Sequence, residues 1–246
     1  NIAASPFSGR HAEDRKAILQ KNVKEFKLPL LYVNQVGGQT DILFDGGSLV
    51  YNADGSLLQE LNYFHEDYFS CTFDTASKSF TPLPVEEKSP LPADRIGRIY
   101  EALVMGIRDY FKKMGFSKAT LGLSGGIDSA VVLALAADAL GAKNVHAVPM
   151  PSEFSSDHSV SDSLKMAEII GCSQEIIPIA PMYNSFLDAL KKDFEGLPFN
   201  VAEENIQARV RGVTLMALGN KLGFILLSTS NKSELAVGYG TLYGDM

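Results

Sequence analysis

The run Thr120-Leu121-Gly122-Leu123-Ser124-Gly125-Gly126-Ile127-Asp128-Ser129-Ala130 gathers the groups needed to hold a polyphosphate. A short apolar strand, Thr120 to Leu123, enters a glycine turn, and an almost wholly apolar helix, Ala130 to Leu140, follows. Gly125 and Gly126 free the backbone for positive φ and for close approach to a ligand. The helix start offers unpaired N–H groups and the positive end of its dipole, which suits phosphate oxygens. Ser124 and Ser129 add hydroxyl donors, and Asp128 adds a carboxylate able to hold magnesium on phosphate oxygens. No Gly-Lys-Ser/Thr follows, so this is not a Walker A loop. A plain turn between a buried strand and a buried helix would need neither the serines nor the aspartate.

The elements around this run must place it at the end of a strand. A helix is predicted over Ala93 to Met114, with Ile96, Ile99, Leu103, Ile107, Tyr110 and Met114 as one apolar stripe and Gly115 at its end. Strands and helices then alternate. Strands are predicted at Thr120–Leu123, Val145–Met150, Glu175–Ile179 and Phe224–Ser228, with helices near 130–140, Ser159–Ile170, Met182–Leu190 and Val201–Leu218. Such alternation implies parallel crossovers and a doubly wound sheet with helices on both faces. Ligands should bind beyond the carboxyl ends of its strands, where Ser124–Ser129 and Ser228–Glu234 both fall.

Residues 1–74 read as a separate mixed α/β part. A strand is expected at Asn1–Ala4, a helix at Ala12–Phe26 and a strand at Leu30–Val33. Ala53-Asp54-Gly55 reads as a turn between strands Ser48–Tyr51 and Ser56–Leu61, and Tyr68–Phe73 is a further strand candidate. Residues 75–92 carry Pro82, Pro84, Pro90 and Pro92 without an apolar period, so they are expected to be an extended linker, with the second domain spanning 93–246.

The 246 residues suffice for one large or two ordinary domains. A formal net charge of −7 argues against nucleic acid or an anionic membrane as the main partner. Cys71 and Cys172 are too few and too far apart for a disulfide framework or a zinc site. No apolar run reaches membrane-spanning length and the first residues do not read as a signal peptide, so a cytoplasmic enzyme is expected. The chain begins at Asn1 within a strand-like run and stops at Met246 after a glycine-rich segment, as expected for a piece of a longer protein.

Residues Ser124–Ser129 resemble the S-G-G-x-D-S loop of ATP pyrophosphatases, which cleave ATP between its α and β phosphates and transfer AMP to an acceptor. The run Ser228–Met246 (S-T-S-N-K-S-E-L-A-V-G-Y-G-T-L-Y-G-D-M) and Glu203–Arg211 narrow the likeness. From about Ala93 onward the chain resembles the synthetase domain of NAD synthetases, a Rossmann-like adenine nucleotide alpha hydrolase fold. The resemblance implies adenylation of the nicotinate carboxylate of deamido-NAD by ATP with magnesium, then displacement of AMP by ammonia. It implies ATP contacts from Gly122, Leu123, Ser124, Gly125, Gly126, Ile127, Asp128, Ser129 and Thr229. Asn205, Arg209, Glu234 and Tyr239 are implied for deamido-NAD, Asp128 and Glu234 for the metal, and Asp245 for the substrate and ammonia site. Ser152, Ser155 and Ser156 stand where relatives bind adenosine. Arg209 and Arg211, two apart on a helix, point in different directions, and either can be the one that reaches substrate. For Glu234 the plain alternative is a helix cap. Relatives dimerise through this domain, which implies a homo-oligomer.

Asn1–Phe7 with Gly9-Arg10, Gln35–Gln39 and Phe44–Ser48 resemble the last third of the nitrilase-like glutaminase domain of glutamine-dependent NAD synthetases. That implies ammonia from glutamine, with Ser5 and Arg10 at glutamine-contacting positions. The family's Glu-Lys-Cys triad is expected outside this stretch, and Cys71 reads as a core thiol. Two alternatives stand beside this reading. One is another amidotransferase pyrophosphatase such as GMP synthetase; the other is a nucleotide-binding fragment without turnover.

Overall fold

A computed structural model of the chain describes residues 1–83, 94–153 and 155–244. It forms two compact units, Asn1–Lys113 and Met114–Met246.

In chain order the first unit comprises β1 (Ile2–Ala3), α1 (His11–Phe26), β2 (Leu30–Asn34), β3 (Val36–Gln39), β4 (Ile42–Asp45), β5 (Leu49–Tyr51), β6 (Leu57–Glu60), β7 (Cys71–Asp74), β8 (Ser79–Pro82) and α2 (Arg95–Met114). Strands β1-β2-β5-β6 make one sheet in that order, parallel between β1 and β2 and antiparallel elsewhere. Helix α1 packs Val23 against Tyr32, Leu49 and Tyr51 of this sheet. The predicted turn forms where Gly55 takes φ +85° and Asp54 accepts the N–H of Ser56 at 2.8 Å.

Three expectations change here. Residues 79–82 are not extended linker: β8 pairs antiparallel with β7, and Phe73 and Phe80 meet across the hairpin at 5.0 Å. The rest of the expected linker, 84–92, lies outside the described residues. The compact units divide after Lys113, so α2 counts with the first unit rather than opening the second. Its buried face is also a different one. Ala102 and Met105 sit in a core with Ala12, Tyr63 and Phe64, whereas Ile96, Leu103, Tyr110 and Met114 of the predicted stripe are exposed.

The second unit comprises β9 (Ala119–Gly122), α3 (Ile127–Leu140), β10 (Val145–Val148), α4 (Asp157–Ile170), β11 (Ser173–Gln174), α5 (Ala180–Leu190), α6 (Val201–Leu222), β12 (Ile225–Leu226) and α7 (Lys232–Val237). Its sheet has the order β11-β10-β9-β12 and every pair is parallel. Helices α3 and α4 cover one face, where Leu133, Ala136 and Ala167 pack on Leu121, Leu123, Val145 and Ala147. Helix α6 brings Val210 and Leu215 against Val148, Met150 and Ile179 in a second core. This is the doubly wound α/β arrangement expected from the alternation.

The strand predicted at 175–179 is cut short for a clear reason. Glu175, Ile177 and Ile179 donate N–H bonds to Ala147, Pro149 and Pro151 at 3.0–3.2 Å. A parallel ladder needs return donors from residues 149 and 151, and both are prolines without an N–H. The run is therefore bonded from one side only. Among the described residues, no helix is long and apolar enough to cross a membrane.

Candidate active site

Chain order turns back on itself at β9. The chain steps outward through β10 and β11, then returns to the other side of β9 as β12. Loops leaving neighbouring strands at such a point diverge and leave a crevice at their carboxyl ends. A cleft of about 530 Å³ opens there. Ser124, Ser155, Arg211, Ser228 and Thr229 supply polar lining, with Val148, Met150, Leu215 and Leu226 among its apolar walls.

The loop after β9 is fixed by its own side chains. Ser124 N–H donates to Ser129 Oγ at 3.2 Å, the two hydroxyls lie 3.0 Å apart, and Ser129 Oγ donates to Gly126 O at 3.0 Å. Gly126 N–H donates to Ser124 Oγ at 3.2 Å. Ser129 is buried, so its hydroxyl braces the loop from inside, while Ser124 and Asp128 are exposed. The two glycines differ. Gly125 has φ +83°, and a Cβ there would stand 2.4 Å from Ser159 O of α4. Gly126 has φ −84° and ψ 161°, ordinary extended values, and serves as the N-cap of α3. Helix α3 starts at Ile127, three residues earlier than expected, which puts Ile127, Asp128 and Ser129 in its first turn. Their N–H groups are among those a helix leaves without a partner inside it, at the positive end of its dipole.

The second wall comes from β12 and α4. Thr229 and Ser228 line the cleft past the end of β12, and Ser155 lines it from the segment before α4. Ser155 Oγ accepts the N–H of Ser152 at 2.9 Å, and Ser156 caps α4 by accepting the N–H of Ser159 at 3.2 Å.

Helix α6 separates the two arginines. Arg211 lines the cleft and reaches Met150 O at 3.4 Å through Nε. Arg209 instead borders a small apolar hollow with Met182, Phe186 and Ile206, and its Nε donates to Leu242 O at 3.3 Å. Asn205 accepts from Thr241 Oγ1 at 2.8 Å. A Cβ on Gly212 would stand 2.6 Å from Gly244 O, and one on Gly244 would stand 3.0 Å from Ala208. Residues 205, 208, 209 and 212 form one stripe of α6, and residues 241–244 lie along it. Gly212 lies outside the predicted site residues, although a glycine inside a long helix is itself a sign of close backbone approach. Tyr239 is exposed in this tail, and Asp245 lies outside the described residues.

Glu234 takes the capping role that stood as its alternative. Its Oε2 accepts the N–H of Asn231 at 3.2 Å, while Asn231 Oδ1 accepts from Ser233 and Glu234. This reciprocal box starts the six-residue α7. Among the described residues no three His, Cys, Asp or Glu side chains converge as a metal cage.

In the first unit, Ser5 N–H donates to Asn34 Oδ1 at 2.9 Å, and Arg10 precedes α1 as an exposed residue. Asn34 belongs to a buried polar group with Asp45 and Arg15, whose guanidinium bonds both Asp45 oxygens at 3.0–3.1 Å. Burial opposes the charge on Arg15, but the hydrogen bond and field of Asp45 outweigh it and raise the arginine's pKa. Asn34, Asp45 and Arg15 were not singled out from the sequence. Asn34 and Asp45 each end an otherwise apolar strand, which was the available signal.

The NAD synthase family model matches residues 99–246. Glutamine-dependent NAD(+) synthetases are similar over the whole chain: that of Synechocystis sp. is 48% identical over 247 residues and that of Acinetobacter baylyi 46% over 246. The chain spans 44% of the length of each of these curated relatives. A solved glutamine-dependent NAD+ synthetase from Acinetobacter baumannii, in complex with ADP, superposes with a TM-score of 0.92 at 44% identity, covering 99% of this chain and 45% of that one. An enzyme of the same name from Cytophaga hutchinsonii shares the fold at 21% identity, with a TM-score of 0.81 over 98% of this chain and 47% of its own.

Proposed function

This chain belongs to the NAD synthase family, and we propose that its second unit carries out the ATP-dependent amidation of deamido-NAD. A nicotinate carboxylate oxygen attacks the α phosphate of ATP, pyrophosphate leaves, and an acyl adenylate forms. Ammonia then attacks the acyl carbon, AMP leaves, and loss of a proton gives the carboxamide of NAD. The carboxylate is already an anion, so the first step needs charge neutralisation and alignment rather than a general base. The observation that carries this reading is the Ser124–Ser129 loop. It is braced from inside by Ser129 and opens at the strand-order reversal into a cleft also lined by Arg211 and Thr229.

On this reading Gly122–Ser129 and Thr229 hold ATP, Ser129 by bracing the loop, and a relative from Acinetobacter baumannii solved in complex with ADP supports an adenine nucleotide as the ligand. Arg211 is the charged residue lining the cleft among those described, which suits it to the phosphates. Asn205, Arg209 and Tyr239 serve deamido-NAD together with the tail, and Asp245 the ammonia step. Magnesium fits the donors present. Asp128 is exposed in the first turn of α3, and such an ion takes most of its oxygens from phosphates and water and few from protein. Asp128 and Glu234 would hold it, and it would neutralise phosphate charge. The first unit, as part of a glutaminase, contributes Ser5 and Arg10 to glutamine binding in the whole protein. The enzyme works in the cytoplasm as a homo-oligomer.

The test is pyrophosphate release by the full-length protein with deamido-NAD or XMP, at saturating ATP and magnesium with ammonium supplied. A buried polar group left unpaired by the wrong acceptor costs about 1–3 kcal/mol, so two such groups give discrimination on the order of a hundredfold. Equal kcat/KM values, or a preference for XMP, refute the assignment of the acceptor.

A further inference from the structure

Arg15, Asn34 and Asp45 are 8%, 7% and 1% exposed, three polar side chains in the interior of a small unit. A buried ion pair is weak evidence of stabilisation, since apolar residues of similar volume commonly serve as well. What this group does is hold backbone. Asn34 Nδ2 donates to Asp45 Oδ1 at 3.1 Å and to Gly46 O at 2.9 Å, which fixes which end of the amide points where. Its Oδ1 is thereby turned to the Ser5 N–H at 2.9 Å, while Nδ2 also lies 3.4 Å from Ser5 O. Asp45 is fixed in turn by the two-pronged contact from Arg15 on α1, whose guanidinium also lies 5.6 Å from the Tyr32 ring centre. Both contacts at Ser5 use its backbone, so neither engages its hydroxyl. The following residues are pinned too: Phe7 N–H donates to Leu43 O at 2.7 Å, and Pro6 bridges to Phe44.

We propose that Asn34, oriented by the Asp45–Arg15 pair, is a positioning residue for glutamine, setting the backbone of Ser5 so that its hydroxyl meets the substrate. This rests on the reading of the first unit as part of a glutaminase with Ser5 at a glutamine contact. The bond from the Ser5 N–H to the Asn34 amide ties the residue that carries this hydroxyl directly to the buried group.

The experiment uses the full-length protein and compares NAD formation from glutamine with NAD formation from ammonium, in wild type, Asn34→Ala, Asp45→Asn and Ser5→Ala. Asn34→Ala should raise the KM for glutamine about tenfold, the scale of one lost hydrogen bond. Its kcat with glutamine and its ammonium-dependent kcat/KM should stay within about threefold of wild type, a difference too small to count as one lost hydrogen bond. Asp45→Asn keeps the shape of the side chain and should shift the glutamine KM in the same direction by less, and it decides the matter if Asn34→Ala does not fold. Folded variants with an unchanged glutamine KM, or with glutamine and ammonium activities lost in parallel, overturn the positioning role. If wild type does not use glutamine, or Ser5→Ala leaves its KM unchanged, the reading of the unit falls first and the proposal with it.

Discussion

Gly125→Ala tests the proposed phosphate loop most directly. The new Cβ would lie 2.4 Å from Ser159 O, 2.8 Å from its Cα and 2.9 Å from its carbonyl carbon. These are backbone atoms of α4, which cannot swing aside as a side-chain tip would. At φ +83° an alanine also meets its own carbonyl, which costs roughly 1–2 kcal/mol. Overpacking against fixed neighbours adds about 1–3 kcal/mol. The total of about 2–5 kcal/mol is relieved most easily by moving the loop away from α4. A displacement of about 1 Å at a reacting centre can cost on the order of a hundredfold in rate. Gly126→Ala is the control: φ is −84° and its Cβ would meet only Ser124 Oγ, at 3.3 Å. The assay is ATP-dependent pyrophosphate release by full-length protein with deamido-NAD and ammonium, alongside thermal melting to confirm folding. Gly125→Ala should lose about a hundredfold in kcat/KM for ATP and Gly126→Ala less than about tenfold. If folded Gly125→Ala keeps kcat/KM within twofold of wild type, the wedge against Ser159 does not place this loop for catalysis.

Other outcomes follow from the same geometry. Asp128→Asn and Glu234→Gln should each lose most adenylation activity with the fold intact, since glutamine can still accept the capping bond of α7; near wild-type turnover of both at limiting magnesium sinks the shared-metal reading. Gly212→Ala should lift the 241–244 tail from α6 and raise the KM for deamido-NAD at least tenfold, on the order of one or two lost polar contacts; an unchanged KM denies the tail a part in acceptor binding. Burial holds His146 below its ordinary pKa of 6.5, with Glu175 acting weakly the other way. The unfolded chain therefore takes up the proton first, so this contribution to stability is full above pH 6.5 and is lost as pH falls through the folded-state value. Melting followed from pH 7 downward should fall less steeply in His146→Gln, and identical slopes refute the link.

Sequence alone carried what depends on neighbours along the chain. The strand-turn-helix of 120–140, the alternation giving a parallel sheet, and the motifs that resemble those of NAD synthetases were all legible, because period and turn chemistry are local. Choices between chemically similar neighbours were not. Gly125 and Gly126 look alike until α4 arrives beside one of them. Ser129 reads as a ligand hydroxyl until burial turns it inward to brace the loop. Arg211 rather than Arg209 faces the cleft because packing sets the rotation of α6. Helix α2 has a clear apolar stripe, yet the core it meets selects Ala102 and Met105, where small or flexible side chains admit Tyr63 and Phe64. Burial and facing depend on residues distant along the chain, and only the folded arrangement brings those together.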